Sequence, residues 1–337
     1  MRCFPAVRHC GGPGSHHWCS AARMGWRLFQ PTESPSATRR WLLHEPSRRP
    51  KLRMSQRRSP WRQPPPTRRS LHPAVARAKG IPGQAAAADH IRELMSGSAL
   101  FEAGAARSVQ DALSFRVVPQ VHGALREYVA AARNAVTVEL NSADDNPLVS
   151  VPDQAMISNG NFHPMVLAIA CDALRIALAQ VGQLSERRLS HLWDGCMHQL
   201  VGPPTSPLYG LQLRYPAAAL FPELKQLAAP ATLDTPTLDL GVEDHGTSAP
   251  LSVRKTDTVL GLLEDLLAIE LMLATDLLRL TPTKPVLGAG TAEALRMVEE
   301  SITLADPQPD AVHRALRERF PVMQVGGSAA NGQSAAR

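Results

Sequence analysis

The chain has 337 residues, enough for two ordinary domains or one large one, and a formal net charge of +6. That charge is the sum of two unlike parts: residues 1–80 carry 15 Arg and 2 Lys against 2 acids (+15), whereas the other 257 carry 19 Lys plus Arg against 28 acids (−9). The most apolar stretch, Val259–Leu280, contains Glu264, Asp265, Glu270 and Asp276, so it reads as a packed helix and not as a membrane span.

Residues 1–80 hold 11 of the 29 prolines and four of the five tryptophans, with few Ile, Val or Leu. Such a segment buries too little apolar area to offset the entropy of ordering it, and disorder is expected. A transit peptide fits the Arg excess, but the prolines at 46, 50, 60, 64, 65, 66 and 73 oppose the amphipathic helix it needs. A nucleic-acid arm would use the Arg pairs at 39–40, 48–49, 57–58 and 68–69, with Trp41 and Trp61 for stacking. Cys3, His9, Cys10, His16, His17 and Cys19 are zinc-compatible types without zinc-site spacing. The composition best fits a fourth reading: a stretch that is not functional protein, produced by a misplaced start or a shifted frame. Neither a nucleic acid nor a membrane is expected as a partner, and no metal site is expected.

From about Pro82 the text changes to Ala, Leu, Val, Glu and Asp at helical spacing. A short helix is expected over Ala86–Met95, closed by Ser96-Gly97-Ser98. Val121, Leu125, Val129, Ala132, Val136 and Leu140 keep a 3.6-residue period that predicts a helix over Gln120–Leu140. It stops where Asn141 to Asn146 compete with the backbone and Pro147 forbids continuation. A second long helix, about Met165–Trp193, is apolar nearly all round in its first five turns, so a bundle interior or a subunit interface should cover it; the charged group Ser185-Glu186-Arg187-Arg188 is expected near its end. Further helices are expected at about Leu211–Ala228, Val253–Leu280, Thr291–Leu304 and Pro309–Phe320. No strand pattern stands out. The fold class expected is all-α, a bundle of long antiparallel helices over residues 81–325, with a Gly-, Ser- and Ala-rich tail, 326–337, expected to be disordered. Cys171 and Cys196, the cysteines of this part, suit a reducing cytoplasm better than a disulfide framework.

Ionisable residues gather in the loops between these helices, where sites in helical folds are commonly built. Gln110 and Arg116 lie in the first such loop; Arg116 can grip a carboxylate with its two-pronged donor set, or simply pair with Asp111 or solvent. Gly160-Asn161-Phe162-His163 forms the second, where Phe162 is either a pocket wall or core. Glu243-Asp244-His245 forms the third, either an acid–base group near neutral pH or a charge cluster at a helix start.

In order along the chain, Gln110-Asp…Ser-x-Arg116, Asn141…Asp145-Asn146-Pro147-Leu148-Val149, Gly160-Asn161-Phe162-His163, Leu184-Ser185-Glu186-Arg187-Arg188 and Glu243-Asp244-His245 resemble the C-terminal half of the aromatic amino-acid ammonia-lyases, the histidine and phenylalanine ammonia-lyase family. The likeness runs over roughly residues 86–325. It implies a largely helical homotetramer with sites assembled from several subunits, and a carbon–nitrogen lyase reaction that eliminates ammonia from an aromatic L-amino acid; histidine gives urocanate. By position it implies Arg116 on the substrate carboxylate, Phe162 near the electrophile, Gln110 lining the pocket, and Glu243, as catalytic residue, facing the substrate amine or imidazole. Glu-Asp-His resembles the histidine-type members, because plant phenylalanine-type members usually carry glutamine in that loop.

Two departures alter the expectation. The family builds its electrophile, methylideneimidazolone, from an Ala-Ser-Gly tripeptide, and no such tripeptide occurs in the chain. Leu113 stands where the family's Gln-Asp-x-Tyr-Ser-x-Arg motif has tyrosine, so a hydroxyl is missing. A truncated lyase of the histidine type, inactive alone and with no cofactor of its own, is therefore expected. The alternatives are a phenylalanine or tyrosine lyase or aminomutase homologue, or a non-catalytic helical partner of an intact lyase.

Overall fold

A computed structural model describes residues 69–102, 110–204, 206–233, 235–305 and 308–320. Among them are ten α-helices and one two-stranded hairpin: α1 Pro73–Lys79, α2 Pro82–Leu94, α3 Leu113–Arg116, α4 Val118–Glu139, β1 Leu148–Ser150, β2 Ala155–Ile157, α5 Met165–Gln199, α6 Tyr209–Gln212, α7 Arg214–Leu227, α8 Ala249–Leu280, α9 Ala289–Leu304 and α10 Pro309–Glu318. The all-α expectation holds among the described residues. The expectations for residues 1–68 and for the tail 326–337 lie outside them. The boundary expected at residue 80 falls after α1, which starts on a proline, is capped by His72 Nδ1 accepting from the Ala74 amide at 3.2 Å, and stops at Gly80 with φ 74°.

The chain divides into two compact units. The first comprises Leu125–Ala179 and Glu223–Gly261; the second comprises the described residues up to Ala124, Gln180–Pro222 and those from Leu262 onward.

In the first unit, α5 and α8 are joined by a buried polar knot. Arg175, with no exposed surface, donates to the carbonyls of Leu227 at 3.1 Å and Ser252 at 2.7 Å, and pairs with Asp172. The other carboxylate oxygen of Asp172 accepts the amides of Ala231 at 2.8 Å and Thr232 at 3.1 Å and the Thr232 hydroxyl at 2.9 Å. Each donor and acceptor of a buried ion pair has to be matched in this way, because an unmatched one costs several kcal/mol, about 3–5 when a partner is lost. The apolar window of α5 that holds this pair is long enough to cross a membrane, which the sequence reading assigned to no stretch; 56% of that window is buried inside the fold. Val166 (71% exposed), Ile169 (51%) and Ile176 (48%) nevertheless face outward from it.

In the second unit α5 does not end at its charged group but continues to Gln199. Ser185 and Arg188 are fully buried against Glu270 of α8: Arg188 Nε reaches one carboxylate oxygen at 2.6 Å, and its Nη2 (2.9 Å) and Ser185 Oγ (2.6 Å) reach the other. Leu189, Leu192, Cys196, Ala217, Leu266, Ile269, Leu273 and Leu277 form the apolar core around this pair. In both units rising numbers on α5 meet rising numbers on α8 (Ala168 with Ser252 and Cys171 with Thr256, then Ser185 with Glu270 and Cys196 with Leu273), so this pair runs in the same direction within an all-α fold expected to be antiparallel. Gly210 of α6 lies so close to α8 that a Cβ there would sit 2.1 Å from the Leu273 nitrogen. Both described cysteines, Cys171 and Cys196, are free and buried.

Candidate active site

Each of the sequence-derived site residues lies on a loop or a short helix. The first unit holds Phe162 and Glu243. After α4 the asparagine-rich stretch leads into the β1–β2 hairpin, with Leu148 opposite Ile157 and Val149 opposite Met156. No strand was legible here, because each strand has only three residues. What fixes the hairpin is side-chain amide chemistry: Asn159 donates from Nδ2 to the carbonyls of Asp145 at 3.0 Å and Ile157 at 3.1 Å, while its own backbone N–H donates to Asn146 Oδ1 at 3.0 Å. Asn159 Oδ1 then accepts the Asn161 amide at 2.8 Å, and the His163 amide donates to the Gly160 carbonyl at 3.0 Å. The turn so formed presents Phe162, which is 48% exposed and therefore not a core residue of this chain.

Glu243 sits in the loop before α8. The loop folds back on itself: the Leu238 amide donates to the Glu243 carbonyl at 2.7 Å, and the Gly246 amide donates to Thr235 Oγ1 at 3.0 Å. Its tip takes left-handed backbone at Asp239 (φ 46°), Leu240 (φ 53°) and Gly241 (φ 92°). Glu243, Asp244 and His245 are exposed. The two loops meet through histidines. The His163 and His245 rings stack with centroids 5.5 Å apart, His163 Nε2 lies 3.2 Å from the His245 carbonyl oxygen, and the Phe162 ring meets His163 edge-on at 4.9 Å. A carbonyl only accepts, so Nε2 carries the proton in that contact.

The second unit holds Gln110 and Arg116. Gln110 is exposed. Arg116 ends α3, a single helical turn that starts at Leu113, 60% exposed. Its Nε is buried and meets no hydrogen-bond partner among the described residues. α3 is held to α5 by Arg188 Nη1 donating to the Ser114 carbonyl at 3.3 Å and by the Phe115 ring, 5.8 Å from that of His191. Nearby, burial and the Arg188 charge push the His122 imidazole down to about 3, which keeps it neutral. Sequence reasoning quoted Arg188 as a motif letter and Glu270 as one of four acids in an apolar stretch, neither with a role; the local signal was a serine and an arginine in an otherwise apolar helix.

The family question is decided by the extent of the match: residues 66–300 fit the aromatic amino acid lyase family. The chain belongs to that family. The match takes in residues 66–80, assigned above to the basic segment, and ends short of residue 325. The histidine ammonia-lyase of Anaeromyxobacter sp. (strain K) is 35% identical over 269 residues, which are 77% of this chain and 52% of that protein. The chain thus spans about half the length of the curated relatives it matches. Among solved structures, the ergothioneine-degrading enzyme ergothionase from Treponema denticola superposes with a TM-score of 0.73 at 22% identity, over 92% of this chain and 60% of that one, which shows the shared fold. Histidine ammonia-lyase from Trypanosoma cruzi gives a TM-score of 0.65 at 26% identity, over 93% and 56%.

Proposed function

We propose that the chain carries the substrate-facing residues of a histidine-type ammonia-lyase, the reaction being elimination of ammonia from L-histidine to give urocanate. The observation that carries this reading is the contact of His163 with His245, which sets an aromatic wall, Phe162, beside a loop bearing an exposed carboxylate, Glu243. An imidazole ring suits both groups, and a phenyl ring suits only the first. In the family's pattern, where each site is assembled from several subunits, Arg116, whose buried Nε meets no partner among the described residues, would take a substrate carboxylate and Gln110 would line a pocket. The setting proposed is cytoplasmic, with the outward row Val166, Ile169 and Ile176 covered in a homotetramer.

No Ala-Ser-Gly occurs in the 337 residues, so these residues would not by themselves form the family electrophile. We therefore expect no urocanate when the purified chain is given L-histidine and absorbance is followed; clear turnover by the chain alone would sink that expectation. Equilibrium binding of urocanate, weakened by Arg116→Ala and by Glu243→Gln, tests the site independently of turnover. The same outward apolar row favours a second reading, a helical partner of an intact lyase, and co-purification with a full-length homologue would support it.

A further inference from the structure

We propose that His163 is a positioning residue: it holds the Glu243 loop at a fixed distance from Phe162 and so sets the preference for an imidazole over a phenyl ring. The inference rests on the reading that Glu243 faces the substrate ring. Residues 235–246 close on themselves only through the Leu238–Glu243 pairing and the Gly246–Thr235 bond, too few to stay closed unaided, so this piece needs an outside anchor both to keep those bonds from opening and to fix where Glu243 stands. Asp172 fastens the chain at Ala231 and Thr232, before that piece begins. At its other end the contacts come from His163, by the Nε2 bond to the His245 carbonyl at 3.2 Å and the ring stack at 5.5 Å. His163 is itself fixed by the Gly160 carbonyl, which accepts its amide at 3.0 Å, and by the edge-on Phe162 ring at 4.9 Å. One side chain therefore references both candidate substrate-facing residues, across 82 positions of sequence.

Loss of the anchor lets the Glu243 loop wander relative to Phe162. A ligand that hydrogen-bonds to Glu243 through a ring N–H then loses affinity, whereas a ligand offering only an apolar ring does not. The probes are urocanate and its phenyl counterpart, trans-cinnamate, titrated against the full chain and its variants. His163→Ala should weaken urocanate roughly tenfold, the worth of about one net hydrogen bond, with cinnamate unchanged within roughly twofold. His163→Gln, which keeps a donor near the Nε2 position, should restore most of the urocanate affinity, and His163→Phe, which keeps only the ring, should not. A general loosening of the fold would weaken both ligands together, and that result overturns the proposal.

If Glu243→Gln lowers the urocanate preference but His163→Ala leaves it intact, the positioning role falls while the reading of Glu243 stands. If Glu243→Gln has no effect, or the chain binds neither ligand, the reading of the site falls. Hydrogen exchange then still decides whether His163 is the anchor. The Glu243 and Gly246 amides should exchange roughly tenfold faster in His163→Ala at an unchanged melting temperature, and equal exchange overturns the anchoring.

Discussion

Replacing Arg188 with methionine strips Glu270, a carboxylate with no exposed surface, of both contacts with the guanidinium, at 2.6 and 2.9 Å, and leaves only the Ser185 hydroxyl at 2.6 Å. A buried charge that loses its partner costs about 3–5 kcal/mol. For a folded part of this size that corresponds to a fall in melting temperature of roughly 6–20 °C, at about 2–4 °C per kcal/mol. The double replacement Arg188→Met with Glu270→Met removes both charges and keeps similar volume in the core formed by Leu189, Leu192, Leu266 and Ile269. It forfeits the bond to the Ser114 carbonyl and the bond from the Ser185 hydroxyl, each worth about 1 kcal/mol, so it should stand within about 2.5 kcal/mol of the native chain. Urea titrations followed by circular dichroism at 222 nm, on native, both single and the double variants, give the coupling energy directly. The reasoning fails if Arg188→Met costs less than about 1 kcal/mol, or if the double variant loses as much as the two singles combined.

Two further outcomes concern α8 and what it touches. Burial pushes Asp276 up to about 7, against the backbone amides of Leu211, Gly210 and Tyr209 and the charge of Arg279, which act in the other direction. A folded value above the ordinary ~3.9 means that folding favours the protonated acid; its contribution is fully present below about pH 4 and is lost as the pH rises through about 7. Asp276→Asn cannot titrate, so native stability minus variant stability should fall by about 3 kcal/mol between pH 4 and pH 7, and parallel curves would refute the assignment. Gly210→Ala would press a Cβ to within 2.1 Å of the Leu273 nitrogen and 2.4 Å of the Met272 carbonyl carbon, both backbone atoms that cannot rotate away. A loss of about 3 kcal/mol is expected in a urea melt, and a neutral alanine would mean that α6 does not lie this close to α8.

The long helices were legible because their information is local. Val121, Leu125, Ala132 and Val136 repeat at helical spacing, and α4 follows them; Leu125, Ala132 and Val136 are buried. The end of α5 was misread for the opposite reason. Ser185, Glu186, Arg187 and Arg188 look like a solvated stop, yet Ser185 and Arg188 turn inward to a carboxylate more than 80 residues away. Asp172 and Arg175 were passed over in the same helix, since their partners Ser252, Ala231 and Leu227 come from distant sequence. The hairpin escaped because Leu148–Ser150 and Ala155–Ile157 are too short to show alternation, and their pairing is set by Asn146 and Asn159. Arg116, Phe162 and Glu243 entered as candidates through their loop positions and side-chain chemistry, and motif resemblance then gave them roles, but the tie between the last two depends on the His245 backbone carbonyl, an atom every residue type has.

Asn159 also gives the Phe162 loop a chemical clock. It precedes Gly160, which puts no side chain in the way of attack by the next backbone nitrogen on the amide, and the three hydrogen bonds that hold the amide to Asp145, Ile157 and Asn161 set how slowly that clock runs. Conversion of that amide to a carboxylate would remove both donors to Asp145 and Ile157 and set a negative oxygen against two carbonyls. Preparations of the chain would then age into a charge variant whose hairpin is loosened at its base, separable by ion exchange from fresh material and altered first at the turn that presents Phe162.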